Sequence, residues 1–275
     1  MNRPSCTDPV FGGTITDIPV SGGTIRVESL GYGRAILFLH GWTLDRRIWE
    51  PQARALADRY RIVTLDRRGF GESSAPPALP QEPADILAIA DALGLERFAL
   101  VGMSQGARIA LRFAIAHPGR VSAIVLQGAP LSDVPGADEE TPIVRMTDLL
   151  ASGQLEEMRR ICLAHPLMRV AGEGRALLER IASGYSGRDL ATPSTLEVTS
   201  ADCAVIQAPV LAITGGNESA WRHRVARTLK ETAGAARLDI PDCGHLCNLE
   251  RPDIYNAAIV DFLEQRAAAI RPRAA

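Results

Sequence analysis

Net charge is nearly absent from this sequence: 30 Lys and Arg stand against 32 Asp and Glu, leaving −2. That balance removes the electrostatic reason to expect nucleic acid or an anionic membrane as a partner and leaves a small-molecule ligand as the expectation. Long apolar runs are missing as well. Asp8, Asp17 and Glu28 interrupt the short apolar stretches at the N-terminus, so the basic head and apolar core of a signal peptide are not there, and no later run could span a bilayer. A cytoplasmic protein is expected. Cysteines are few and odd in number, Cys6, Cys162, Cys203, Cys243 and Cys247, which argues against a disulfide framework and fits a reducing compartment. Cys243 and Cys247 bracket His245, but no second Cys or His pair lies nearby to complete four ligands, so no metal is expected.

What is present is an ordinary globular composition, 46% apolar and 23% charged over 275 residues, enough for one large domain or a domain carrying an insertion. From Thr14 to Leu39 short apolar runs are broken at Ser21-Gly22-Gly23, which predicts a hairpin leading into a buried strand. Strands at 62–65, 98–101 and 123–126 then alternate with helices near 83–93 and over 105–116, the pattern of a mostly parallel sheet covered on both faces. The alternation stops near Pro130. Up to Thr199 three amphipathic helices fit better, with Leu155, Met158, Ile161 and Cys162 on one face and Leu177, Leu178 and Ile181 on another. Strands return at 210–214 and 237–240, and a helix over 253–266 closes the chain. The expected division is a core of residues 1–130 and 200–275 with a helical cap, a lid, over 131–199.

The chemistry concentrates in Gly102-Met103-Ser104-Gln105-Gly106, a G-x-S-x-G run with a buried strand before it and a helix after it. A serine on so tight a turn is strained, and glycine at 102 and 106 avoids collision with neighbouring elements. The turn projects Ser104 as a candidate nucleophile at a helix N-terminus, where N–H groups and the dipole favour negative charge. A serine needs a base. Of five histidines, His117, His165 and His223 read as structural, His40 as turn-stabilising, and His245, on the loop after the last strand, as the base. The carboxylate that orients its ring is Glu218, in the loop after strand 210–214; Asp133 is the alternative acid and Asp202 a third. Backbone N–H groups of Trp42, after Phe38-Leu-His-Gly, and of Gln105 form the expected oxyanion hole. Trp42, Met103, Met146 and Met158 are candidate pocket residues, with Leu149, Ile161 and Leu167 beside them.

Together these segments resemble the α/β-hydrolase family, as does Asp66-Arg-Arg-Gly-Phe-Gly-Glu-Ser, similar to the family's D-x-R-G-x-G-x-S loop. The order His40-Gly41, Asp66, Ser104, Glu218, His245 is the family order. The resemblance implies an α/β-hydrolase fold, a triad of Ser104, His245 and Glu218, and no cofactor. It departs in carrying Glu where Asp is commoner, which keeps Asp133 open, and Ala107 where a second glycine is frequent. Serine at 104 argues against the aspartate-nucleophile dehalogenases and epoxide hydrolases of this fold. Ester, thioester or lactone hydrolysis is the expectation. Carbon–carbon bond hydrolysis, cofactor-free perhydrolysis or lyase chemistry, and a weakly catalytic ligand receptor, stay as alternatives because fold and triad do not fix the reaction. A homodimer is compatible with the sequence.

Overall fold

The computed structural model describes residues 9–136 and 141–270, with side chains to residue 265. Cys6 and the C-terminal tail beyond 270 lie outside them. The chain opens with β1 (Thr14–Val20) and β2 (Gly23–Leu30), paired antiparallel with Val20 opposite Gly23. Gly22, at φ +83°, supplies the left-handed residue that the turn needs. There follow β3 (Ala35–Leu39), α1 (Glu50–Leu56), β4 (Arg61–Leu65), α2 (Glu82–Ala92), β5 (Phe98–Met103), α3 (Gln105–Ala116) and β6 (Val121–Gln127). Helices α4 (Ile143–Ala151), α5 (Leu155–Ala164), α6 (Gly172–Ala182), α7 (Arg188–Ala191) and α8 (Ser200–Cys203) precede β7 (Val210–Gly215). The chain ends with α9 (Ala220–Ala233), β8 (Ala236–Ile240), α10 (Cys247–Glu250) and α11 (Pro252–Ile270).

The eight strands form one sheet in the order β1-β2-β4-β3-β5-β6-β7-β8, antiparallel from β1 to β4 and parallel from β4 to β8. This is the mostly parallel sheet with an antiparallel N-terminal hairpin expected from the sequence. The continuous apolar runs have the predicted cause: β3, β5 and β7 are buried at every position, while edge strand β8 exposes Ala236 and Asp239. The period-2 alternation of side chains then feeds two cores. Leu37, Leu39 and Leu100 join α2, α3 and α9 on one face, and Ile36, Phe38 and Val101 join α1, α10 and α11 on the other.

Between β6 and β7 the described residues contain no strand. The helices there are four rather than the three expected before Thr199, because α7 is a single turn launched from Gly187 at φ +71°, too short for a periodic signal. Their inward residues, among them Met146, Met158, Leu178 and Ile181, are continuous with the second core. Burying one such side chain contributes about 1.5–3 kcal/mol, so these helices are held by packing rather than by helix propensity.

Candidate active site

In a parallel sheet all strands end on the same edge, so the loops after β3, β4, β5, β6, β7 and β8 converge there. Trp42, Asp66, Ser104, Gly128, Glu218 and His245 each sit on one of these loops. Ser104 has φ +52° and ψ −117°, a backbone that a residue with a Cβ adopts only under constraint. The constraint is visible: the Ser104 N–H donates to the Gln127 carbonyl at 2.8 Å. A Cβ on Gly102 would stand 2.6 Å from the Gly106 carbonyl oxygen, and one on Gly106 would stand 2.5 Å from that of His40, so both glycines are required by close approach.

The imidazole of His245 is buried, and its Nδ1 lies 3.0 and 3.1 Å from the two oxygens of Glu218. A carboxylate accepts here, so Nδ1 carries the proton, and the neutral form of the ring has its lone pair on Nε2. The contact is built by the backbone: the Asn217 N–H donates to the Cys243 carbonyl at 2.9 Å and ties the Glu218 loop to the His245 loop, and Gln127 Nε2 donates to the His245 carbonyl at 2.7 Å. Burial alone pushes the Glu218 carboxyl up. The imidazole of His245, by charge and hydrogen bond, and the guanidinium of Arg222 outweigh it and hold the group below the ordinary glutamate value. Asp133 lies elsewhere. Its oxygens accept from the N–H and hydroxyl of Ser200, and Asp202 forms a capping box with Thr199, so both spend their carboxylates on the N-terminus of α8.

Ser104 and His245 share the wall of a cavity of about 50 Å³ with Met103, Met146, Leu167 and Trp42. Ser104, Trp42 and Gln105 also line an adjoining cleft of about 420 Å³. Met158 does not reach either cavity: it is fully buried and packs among the helices between β6 and β7, close to Gly187. The expectation that it lines the pocket is corrected. Its face of α5 is apolar, as the periodicity predicts, but periodicity does not tell an apolar core face from a pocket wall.

Gly128 and Asp189 carry no sequence signal. Gly128, at φ +52°, leaves the space where a Cβ would stand 2.7 Å from the His245 ring. Asp189, on α7, accepts from the Trp42 indole at 2.6 Å and from the Tyr185 hydroxyl at 2.9 Å, which fixes the indole. Beneath the site, Arg67 is bound by both oxygens of Glu82 and donates to the carbonyls of His40 and Gly41 and to Gln105 Oε1. It therefore braces the turn before Trp42 against the residue after Ser104. His40 donates from Nδ1 to the Gly41 carbonyl and accepts at Nε2 from the Arg67 N–H; burial, then the Arg67 charge, holds its pKa well below the usual value. Asp66 is buried against Arg46, and burial pushes its carboxyl up to about 6. Among the described residues no three His, Cys, Asp or Glu side chains gather as a metal site, and none of the helices is long and apolar enough to cross a membrane.

Comparison with known proteins gives the same architecture. The alpha/beta hydrolase fold family model matches residues 34–155. The pimeloyl-[acyl-carrier protein] methyl ester esterase of Nitrosomonas europaea is 28% identical over 250 residues, covering 84% of this chain and 96% of that protein. Among solved structures, Est816, described as an N-acyl homoserine lactone degrading enzyme, superposes with a TM-score of 0.74 at 26% identity, covering 90% of this chain and all of the other. A thermophilic esterase from Thermogutta terrifontis superposes with a TM-score of 0.67 at 25% identity, covering 92% and 98%.

Proposed function

We propose that this chain, an enzyme of the α/β-hydrolase superfamily, cleaves a small-molecule carboxylic ester, thioester or lactone through an acyl-enzyme formed on Ser104. The observation that carries the reading is the pairing of His245 Nδ1 with both oxygens of Glu218, in the same cavity wall as a serine forced to positive φ. Esterases and a lactone-degrading enzyme among the similar proteins support the substrate class.

In this mechanism His245 Nε2 takes the proton as Ser104 Oγ attacks the acyl carbon, and Glu218 stabilises the imidazolium. The oxyanion accepts from the N–H groups of Trp42 and Gln105, the latter at the N-terminus of α3, where helical N–H groups have no partner within the helix. Losing one such donor costs about 3 kcal/mol of barrier stabilisation. His245 returns the proton to the leaving oxygen or sulfur. Water, deprotonated by the same nitrogen, then releases the acid and restores Ser104. The cap over 131–199, a cytoplasmic location, a small molecule rather than nucleic acid or a membrane as the partner, and a homodimer as a compatible assembly belong to the same proposal.

The test is hydrolysis of graded p-nitrophenyl esters, thioesters and lactones by wild type and Ser104→Ala. The expected result is turnover on at least one class, with kcat lower by about 10⁴–10⁶ in the variant. Turnover that survives Ser104→Ala contradicts the reading, and saturable binding without turnover on any class favours a receptor.

A further inference from the structure

Six of the side chains lining the larger cleft decide its electrostatics: Arg68, Glu82, Arg108, Asp189, Arg222 and Ser104. Most of the charges are answered within the fold. Arg68 is bound by both oxygens of Asp85, and Glu82 by Arg67. Asp189 accepts from Trp42 and Tyr185, while Arg222 lies 3.6 Å from Glu218 and donates to the Gly128 carbonyl.

Arg108 differs. Its Nε is shut off from solvent with no hydrogen-bond partner, and among the described residues no carboxylate forms an ion pair with its guanidinium. Burial and the neighbouring Arg222 both work against its charge, and among the described residues the exposed Glu197 works for it. A guanidinium cannot escape by giving up its proton at ordinary pH, so a partly buried one without a counter-ion is costly until an anion reaches it. Its place in the helix sets where that anion would be. The Arg108 N–H donates to the carbonyl of Ser104, the residue that caps α3, at 3.2 Å, and the Ser104 and Arg108 side chains line the same cleft.

We infer that the substrate carries a carboxylate a few atoms from its scissile carbonyl and that Arg108 receives it, with Arg222 adding positive potential. The inference rests on the acyl-hydrolase reading and narrows it to anionic substrates. A bidentate pair through the two Nη groups would neutralise the guanidinium and fix the acyl group relative to Ser104.

The test compares mono-p-nitrophenyl glutarate with p-nitrophenyl valerate, corrected for uncatalysed hydrolysis. Wild type is expected to favour the anion by about tenfold or more in kcat/KM, Arg108→Gln to bring the ratio near one, and Arg108→Lys to keep part of it, as a point charge without the fork. A wild-type ratio near one, or the same ratio in Arg108→Gln, overturns the inference. Calorimetric binding of monomethyl glutarate and methyl valerate to Ser104→Ala, with and without Arg108→Gln, separates it from the reading beneath it. Tighter binding of the anion that Arg108→Gln abolishes supports the site even if the wild type hydrolyses neither ester, in which case only the acyl-hydrolase reading falls. Equal binding of the two ligands overturns the inference whatever the turnover.

Discussion

Glu218 is where residue chemistry and residue geometry meet. Its longer arm spans from the loop after β7 to His245, while Asp133, the alternative acid, accepts from Ser200 instead. In the proposed mechanism Glu218→Gln removes the charge that holds the imidazolium and lowers kcat by about 10³–10⁴. Asp133→Asn, at a carboxylate that accepts from Ser200, leaves kcat close to wild type in the same assay. The stability sign follows from the carboxyl being held below its ordinary value. Its contribution is complete above the unfolded pKa of about 4.3 and is lost as pH falls through the lower folded value. Urea midpoints of wild type and Glu218→Gln are therefore expected to converge on acidification through that range; a gap that stays constant contradicts the assignment.

At the scale of the element, two methionines with the same burial separate two roles. Met146, on α4, lines the cavity beside Ser104, whereas Met158, on α5, is locked among helices. Met158→Ala leaves a void in a packed region and is expected to cost about 2–5 kcal/mol in urea unfolding. Met146→Ala enlarges the cavity and shifts kcat/KM toward longer acyl chains across an ester series. The sequence distinguishes neither outcome, because both residues have the same apolar periodicity. Strands β3, β5 and β7 were legible as unbroken apolar runs, and the elbow because strand, glycines and helix adjoin in sequence. Gly128 and Asp189 were not legible, since what makes each matter, the His245 ring for one and the Trp42 indole for the other, lies far along the chain.

For the whole molecule, the sheet order is what brings residues from six loops to one edge, and two cores, one on each face, hold that edge rigid. The alternation of strand and helix announced this architecture. The buried ion pairs of Arg46, Arg67 and Arg68 under the site did not announce themselves, because a charge-rich loop reads as solvated until α2, which supplies Glu82 and Asp85, is folded against it. In the proposed mechanism all of this serves a single event, deprotonation of Ser104 by His245, and the most direct measurement of it is the rate and position of labelling by a fluorophosphonate, followed by intact mass and peptide mapping. The proposed mechanism predicts one adduct, on Ser104, forming orders of magnitude more slowly in His245→Ala. An adduct on another residue, or labelling of Ser104 at the same rate without His245, would contradict it.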